Sequence, residues 1–281
     1  MDRELVLAIL AVLLCGGALT AAGWLPTGSP IASSGRVLER RAWRRIWVPF
    51  GPAGLLFAAL CGWALVEPAD AERVPNCLVW SAVPFAAIMV RAAWRARSSL
   101  ASAHRDQAIA TVGLFRPRII VAARFTNTLD ERALGAALAH ERAHALHRDP
   151  LRLWLAQLGS DLLWPWPAGR SRFLDWQRAL ELARDEEARL SGIAGPDLAA
   201  AILAAVRCSR QGASVGAATL GGDEGFVTER VTRLMRPLDA EAIPVGARAA
   251  WLPALAVGMT SAVLLGIQFG ERAVQTFLAL F

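Results

Sequence analysis

Long runs of apolar residues, separated by short charged segments, dominate the pattern of this chain. Three runs lie in the first third, at Leu5 to Trp24, Ile46 to Val66 and Cys77 to Trp94, and another lies near the end, at Trp251 to Phe269. Each is close to the roughly 20 residues that a helix needs to cross a bilayer. The pattern therefore predicts a multi-pass membrane protein with an N-terminal membrane region at residues 1–97.

The charges between these runs predict an orientation. Five arginines lie between positions 36 and 45, whereas the segment from Glu67 to Pro75 is mostly acidic. Because cytoplasmic loops are enriched in basic residues, we expect the N-terminus outside the cell membrane and residues 98–247 in the cytoplasm. Residues 248–281 are then expected to form a last membrane helix with a short outer tail.

The first apolar run has a second interpretation as a cleaved signal peptide, since residues 18–23 are rich in small side chains. Asp2 and Glu4 disturb the basic start that such peptides carry, and the run is longer than their usual apolar core. A retained membrane helix is therefore the favoured interpretation.

Composition favours a membrane protein over a nucleic-acid-binding protein. Hydrophobic residues make up 55% of the chain, and the mean hydropathy of +0.38 is high for a soluble enzyme. The net charge of +6 comes largely from arginines beside the apolar runs, where anionic lipid headgroups explain them. Because no nucleic-acid-binding motif accompanies this charge, we expect no direct nucleic-acid partner.

Residues 98–247 have a mixed pattern that predicts an α+β domain. Short strands are expected at Asp106 to Val112 and Arg118 to Ala123, where β-branched residues cluster. The segment from Ser209 to Gly225 is rich in Gly, Ala and Ser and predicts a loop. Helices are expected at Leu151 to Trp166, Arg172 to Leu190 and Thr228 to Arg236.

One further helix is expected between these strands and Pro150. Thr128 and Glu131 fit a capping box, in which both side chains satisfy free amides at the start of a helix. Pro150 ends or kinks the helix because it cannot donate the next backbone hydrogen bond. The apolar stripe of this helix is Leu134, Ala137, Leu138 and Ala145.

Two histidines on this predicted helix form the strongest chemical signal in the chain. His140 and His144 lie four residues apart in a His-Glu-x-x-His sequence, so both imidazoles face the same side of the helix. This spacing lets both bind one tetrahedral Zn²⁺. Glu141 then points toward the attacking water as a general base. The motif therefore predicts a zinc hydrolase.

A zinc site of this kind needs a third protein ligand. His147 lies about 10 Å along the helix from His140, at 1.5 Å per residue, so it is a poor candidate. Glu181 and Asp185 are spaced i, i+4 on a later predicted helix. Glu181 is our candidate ligand, and Asp185 is our candidate acceptor for the second nitrogen of a ligating histidine. A solvated acidic helix face is the alternative.

The motifs occur in the order Gly113 to Ile120, His140 to His144, Arg148 to Pro150, Glu181 to Asp185 and Thr228 to Leu234. Together they resemble the membrane-integrated zinc metallopeptidases typified by the bacterial β-lactam sensor-transducers BlaR and MecR. The resemblance implies a mainly α fold, with multi-pass membrane helices and an inserted cytoplasmic α+β zincin-like domain. The chain stops at Phe281, so no penicillin-binding sensor is expected.

By this resemblance, His140, His144 and Glu181 are zinc ligands, Glu141 is the general base and Asp185 supports a ligand. The implied activity is zinc-dependent cleavage of a cytoplasmic or membrane-proximal protein in signal transduction. A BlaI-type repressor or the chain itself is the expected substrate. The lipid bilayer is the other expected partner, and a homodimer is compatible with the pattern.

Substrate binding and function each have alternatives. We hypothesise that an edge strand holds the peptide by backbone pairing, and a strand paired only within the domain is the alternative. An HtpX-like quality-control protease shares the same motifs, and a non-enzymatic membrane scaffold with a relic site is the remaining alternative. The hypothesised strand consists of Ile119, Ile120, Val121 and Ala122.

Overall fold

The protein is represented by a computed structural model, which describes residues 34–51, 86–94, 109–163, 167–212, 224–238 and 251–278 and the single positions 54, 55, 58, 59, 62 and 83. These residues are mainly helical, with one antiparallel pair of strands. In chain order the elements are α1 (Gly35–Trp47), β1 (Ile109–Val112), β2 (Arg118–Val121), α2 (Ala123–Thr126), α3 (Glu131–Leu146), α4 (Asp149–Leu162), α5 (Pro167–Leu190), α6 (Gly195–Gly212), α7 (Glu224–Leu234) and α8 (Trp251–Leu278).

Helix α3 packs against β1, α5 and α6. Small side chains line its buried face, which lets the neighbouring helices approach closely. The two histidines of the sequence motif continue the same face. The buried positions are Ala133, Ala136, Ala137, His140, Ala143 and His144. The metal-type motif is therefore part of the packed interior.

The two strands form a short hairpin beside α3. Ile109 pairs with Val121 and Val112 pairs with Arg118, so the register leaves a tight connection between the strands. Gly113 adopts a φ of +97° there, and a Cβ on it would lie 2.6 Å from the carbonyl oxygen of Arg116. Only glycine fits both the backbone conformation and the close approach.

The start and end of α3 differ from the sequence-based prediction. Asp130 is the N-cap, since its side chain accepts a 2.7 Å hydrogen bond from the backbone amide of Ala133. Thr128 donates instead to the carbonyl oxygen of Phe125, so the predicted capping box is wrong. The helix ends at Leu146, and Arg148 turns the chain with a left-handed φ of 52° before α4 begins.

Helix α1 packs along α5 more extensively than any other pair of described elements. At its N-terminus a Cβ on Gly35 would lie 2.5 Å from the carbonyl oxygen of Leu182, so the two backbones are almost in contact. At the other end Ile46 is buried beside Trp176. Trp43 packs against Trp176 with a centroid distance of 5.0 Å. This arginine-rich segment was expected to be a loop, so that expectation is wrong.

The prediction of membrane-spanning helices is contradicted. Within the part of the chain that the structure describes, no helix combines the length and the apolar character that a bilayer span requires. Ile46, the first residue of the second predicted span, is only 3% exposed and packs in the protein core. The first predicted span, Leu5 to Trp24, lies outside the described residues. The described fold is therefore a mainly helical one with a two-stranded sheet.

The third and fourth predicted spans also differ from their description. In the third, residues 86–94 are helical, and Arg91 pairs with Asp161 of α4 at 2.9 Å. Trp154 of α4 donates a 2.8 Å hydrogen bond to the carbonyl oxygen of Ala92. Helix α8 continues past Phe269, where the fourth span was expected to end. The domain boundaries near 97 and 247 lie outside the described residues and stay predictions.

Candidate metal centre

Three side chains from two helices bring their ligand atoms together. The two Nε2 atoms of His140 and His144 are 3.1 Å apart. Glu181 of α5 lies 3.4 Å from the first of them through Oε2 and 3.6 Å from the second through Oε1. A tetrahedron with metal–ligand bonds of about 2.05 Å has edges of about 3.3 Å. The three distances therefore match one face of a tetrahedral metal site.

The outer nitrogens of both imidazoles face carboxylates. Nδ1 of His144 lies 2.9 Å from Oδ2 of Asp149, and Nδ1 of His140 lies 3.0 Å from Oδ1 of Asp185. Although Nδ1 of His140 is close to Asp185, the pair does not meet the geometry of a regular hydrogen bond. These acceptors assign the ring protons to Nδ1, so both Nε2 lone pairs point into the site. Two lone pairs at 3.1 Å beside a carboxylate repel each other unless a cation lies between them. The donor set therefore fits a metal ion.

Asp149 is held in place by two arginines as well as by His144. Its side chain is fully buried and accepts a 2.6 Å hydrogen bond from Nε of Arg184 and a 3.1 Å hydrogen bond from Nη1 of Arg152. Burial alone raises the pKa of Asp149, but His144 and Arg184 outweigh it and lower that pKa. Asp149 is therefore an ionised acceptor that fixes the ring of His144.

Arg230 of α7 holds the carboxylates of α5. Its guanidinium donates to both oxygens of Asp185, at 2.8 and 2.7 Å, and its Nη1 lies 3.1 Å from Oε2 of Glu181. Burial acts to raise the pKa of Glu181, but Arg230 and the two histidines hold it well below its ordinary range. Asp185 is only 4% exposed, which argues against a solvated acidic face.

The electrostatics favour a cation at the ligand nitrogens. Burial lowers the pKa of His140, but Asp185 and Glu181 outweigh it and raise the pKa to about 9. Without a metal ion, the ring therefore attracts a proton in the same position that a metal ion would take. The site is built to hold positive charge between its two histidines and its carboxylates.

Glu141 lines a cavity of about 280 Å³ together with His144 and Glu181. Thr111 of β1 places its hydroxyl 2.6 Å from Oε2 of Glu141 and 2.9 Å from the backbone oxygen of the same residue. That hydroxyl has one proton, and donating it to the carboxylate holds Oε2 of Glu141 beside β1. The geometry suits a base that acts on water beside a metal ion.

The strand beside this cavity is β1 rather than β2. Ile109, Ala110 and Thr111 line the cavity, whereas β2 pairs with β1 and does not line it. The strand hypothesised to hold substrate therefore lies one strand away from the cavity. That strand is Ile119, Ile120, Val121 and Ala122. Whether this strand holds substrate or pairs only within the domain stays a prediction.

His147 lies outside the group of ligand atoms, as expected from its place on the chain. It is exposed, and its Nε2 lies 2.7 Å from Oε1 of Glu187. The candidate ligands among the described residues are His140, His144 and Glu181, whose ligand atoms all lie within 4.8 Å of one another. The structure thus brings together the three residues that the sequence proposed, and their roles stay predictions.

Three supporting residues were not identified from the sequence. Asp149 had one available signal, because an Asp-Pro pair at the start of a helix places a carboxylate in the first turn. Arg230 lies in the quoted segment Thr228 to Leu234, but neither it nor Thr111 could be assigned a partner, because their contacts join positions far apart along the chain. Their importance becomes visible only when α7 and β1 are packed beside α5 and α3.

One comparison with known proteins gives a match. The family model of the BlaR1 peptidase M56 family matches residues 106–234. No curated protein and no solved structure matches the chain. The matched segment begins just before β1 and ends with α7, so it contains every residue of the site described above. Helix α1 lies outside it.

Proposed function

From the match of residues 106–234 to the BlaR1 peptidase M56 family, a family of metallopeptidases, we propose that this chain is a zinc-dependent endopeptidase. His140, His144 and Glu181 would hold the zinc ion, and Glu141 would act as the general base. The observation that carries the proposal is the set of three ligand-atom distances, 3.1, 3.4 and 3.6 Å, which suits tetrahedral zinc.

The supporting residues prepare the ligands before any metal arrives. Asp149 and Asp185 face the Nδ1 atoms of the two imidazoles, which turns both Nε2 atoms toward the metal position. Arg230 neutralises part of the negative charge on α5, which keeps Glu181 ionised. When bound, a zinc ion supplies a Lewis acid that polarises the peptide carbonyl and lowers the pKa of water.

Glu141 carries the proton transfers of the proposed hydrolysis. It takes a proton from the attacking water while the water oxygen bonds to the carbonyl carbon. The carbon–nitrogen bond then breaks, and the proton passes from Glu141 to the leaving amine. Thr111 keeps the carboxylate turned toward the cavity during both steps. The products are a carboxylate and an amine.

The cavity suits a polypeptide segment. Its polar side holds Glu141 and Glu181, while Ile109, Leu153 and Ala205 provide apolar surface for a substrate side chain. The backbone of β1 runs along the cavity, so an extended peptide can lie beside it. We therefore propose a protein substrate, and by family resemblance a repressor of the BlaI type.

Metal content and cleavage test the proposal together. The purified chain is assayed for zinc and then incubated with a BlaI-type repressor and with a library of quenched fluorescent peptides. We expect about one zinc per chain for wild type and for Glu141→Gln, with cleavage by wild type alone. Glu131→Gln is the matched control, because the same change on the exposed first turn of α3 leaves both properties intact.

Two outcomes contradict the proposal. A wild-type chain that takes up no zinc sinks the ligand assignment. A Glu141→Gln variant that cleaves as fast as wild type removes Glu141 from the mechanism. Mass spectrometry of the products identifies the cleaved bond, and the absence of repressor fragments beside cleaved peptides overturns the repressor assignment alone.

A further inference from the structure

Helix α1 lies outside the family-matched segment, yet it contributes a buried carboxylate that faces the metal centre's supporting network. Glu39 is 6% exposed, although α1 otherwise carries many arginines. Its Oε1 accepts a 3.1 Å hydrogen bond from the indole nitrogen of Trp176 and pairs with Nη2 of Arg152. A carboxylate is buried this deeply only where its charge and its hydrogen bonds are satisfied.

Arg152 connects this carboxylate to the metal centre. One of its nitrogens pairs with Glu39, and another donates a 3.1 Å hydrogen bond to Oδ1 of Asp149. The guanidinium lies 4.7 Å from the ring centroid of Trp43 on α1 and 5.5 Å from that of Trp176 on α5. Two aromatic rings and two carboxylates therefore hold the guanidinium in one orientation.

The contacts of Arg152 continue through Asp149 to His144, one of the proposed zinc ligands. Asp149 accepts from Arg152 through Oδ1 and faces Nδ1 of His144 through Oδ2 at 2.9 Å. Hydrogen-bond partners of ligating histidines set the orientation of the ring and the strength of metal binding. A continuous series of contacts thus runs from Glu39 through Arg152 and Asp149 to His144.

We propose that Glu39 is a positioning residue of the metal centre, which acts through Arg152 and Asp149 on the ring of His144. The proposal rests on the proposed function, since it assumes that His144 binds zinc. It extends the working site beyond residues 106–234 to a helix that precedes them. A peptidase segment without α1 would then bind metal less tightly even if it folds.

Glu39→Gln isolates this effect. The glutamine keeps an oxygen that can accept from Trp176 and Arg152, but it removes the charge that fixes the guanidinium. We expect zinc affinity, measured by competition with a chelator, to fall about three- to tenfold. The absorption spectrum of the cobalt-substituted protein should change as well, because it reports the geometry of the ligands.

Arg36→Gln is the matched control. Arg36 pairs with Glu186 at 3.1 Å, so the change loosens the docking of α1 on α5 without touching Arg152. If Glu39 merely helps to dock the helix, both variants will show the same affinity and the same cobalt spectrum. That result overturns the proposal. A weakened site in Glu39→Gln and an unchanged site in Arg36→Gln support it.

A double variant tests the route. Asp149→Asn should weaken zinc binding about 10- to 100-fold, and adding Glu39→Gln should weaken it by less than a factor of about two more. Independent effects that multiply overturn the route through Asp149. All of these measurements use bound metal and need no substrate. Failure of wild type to bind zinc would sink the proposed function, whereas normal binding by Glu39→Gln would sink this inference alone.

Discussion

At the scale of single residues, the site depends on buried ionised side chains, each of which lies beside a partner of opposite charge or a hydrogen-bonding partner. Asp149 is fully buried and Asp185 nearly so, and each faces a histidine on one side and an arginine on the other. Buried charges of this kind are costly to leave unpaired. Replacing any one of these supporting residues should therefore change catalysis, metal binding or stability measurably.

Replacing Thr111 by valine should slow catalysis without removing the metal. Valine has the same shape but lacks the hydroxyl that contacts Glu141. A hydrogen bond to a charged group is worth about 1.5 to 3 kcal/mol, so we expect kcat to fall about tenfold or more while zinc content stays constant. Thr126→Val is the control, because that exposed hydroxyl contacts only its own turn of the chain.

Zinc uptake should release protons in a pH-dependent way. The pKa of His140 is about 9 in the metal-free site, so its ring is protonated at neutral pH. Because its folded pKa is raised, the proton is held below about pH 9 and competes with zinc for Nε2. Zinc affinity should therefore rise with pH up to about 9, with about one proton released from this ring per zinc. Calorimetry in buffers of different ionisation enthalpy counts the protons, and an uptake independent of pH would contradict the prediction.

At the scale of elements, four helices and a strand each supply one part of the site. Helix α3 carries both histidines, α4 begins with Asp149, α5 carries the third candidate ligand, and β1 contacts the general base through Thr111. Helix α7 carries Arg230, which joins it to α5 by charge rather than by apolar packing alone. The ion pairs of Arg230 with the carboxylates of α5 thus help to hold α7 in position.

Replacing Arg230 by methionine should destabilise the metal-free protein. The change leaves Glu181 and Asp185 without their shared cation, and loss of one partner of a buried pair costs about 3 to 5 kcal/mol. Arg233→Met, one turn later on α7, removes a surface pair with Glu229 that is worth about 1 kcal/mol or less. Urea denaturation with a chelator present measures both, and equal losses would contradict the assignment.

The sequence predicted those parts of the site that depend on local geometry. The spacing of His140 and His144 fixes their common face because any regular helix does so. The turn at Arg148 adopts a left-handed conformation that hydrophobic patterns do not report, so Asp149 was quoted without a role. Arg230 lies on a predicted helix, but its partners lie on another helix more than 40 residues away. Contacts of that range depend on packing rather than on pattern.

At the scale of the whole molecule, the hydrophobic pattern did not distinguish residues that face a bilayer from residues that pack in the protein core. The segment from Arg36 to Arg45 was expected to be a loop because arginines dominate it, but it belongs to a helix, Gly35–Trp47, whose few apolar positions pack on α5. Ile46 was assigned to a membrane span because an apolar run follows it, yet it packs beside Trp176. A run of apolar residues indicates that the segment is buried, but it does not indicate whether lipid or protein covers the segment.

Metal binding should stabilise the whole molecule by mass action. A ligand that binds only the folded state at 1,000 times its dissociation constant adds about 4 kcal/mol to the free energy of unfolding. We therefore expect the melting temperature to rise with free zinc and to fall when a chelator removes it. His147→Gln, at an exposed position outside the ligand group, should respond as wild type does. A melting temperature that ignores zinc would contradict binding at this site.

The long-range pairing of Arg230 with Glu181 and Asp185 has a consequence for synthesis on the ribosome. Residues are added from the N-terminus, so the histidines emerge about 90 residues before the arginine that neutralises their neighbouring carboxylates. At roughly 5 to 20 residues per second, this interval lasts on the order of 5 to 20 seconds. A growing chain therefore carries an incomplete site until α7 has emerged. For the proposed peptidase, we therefore expect cleavage of other nascent chains, or of itself, only after its own domain is finished.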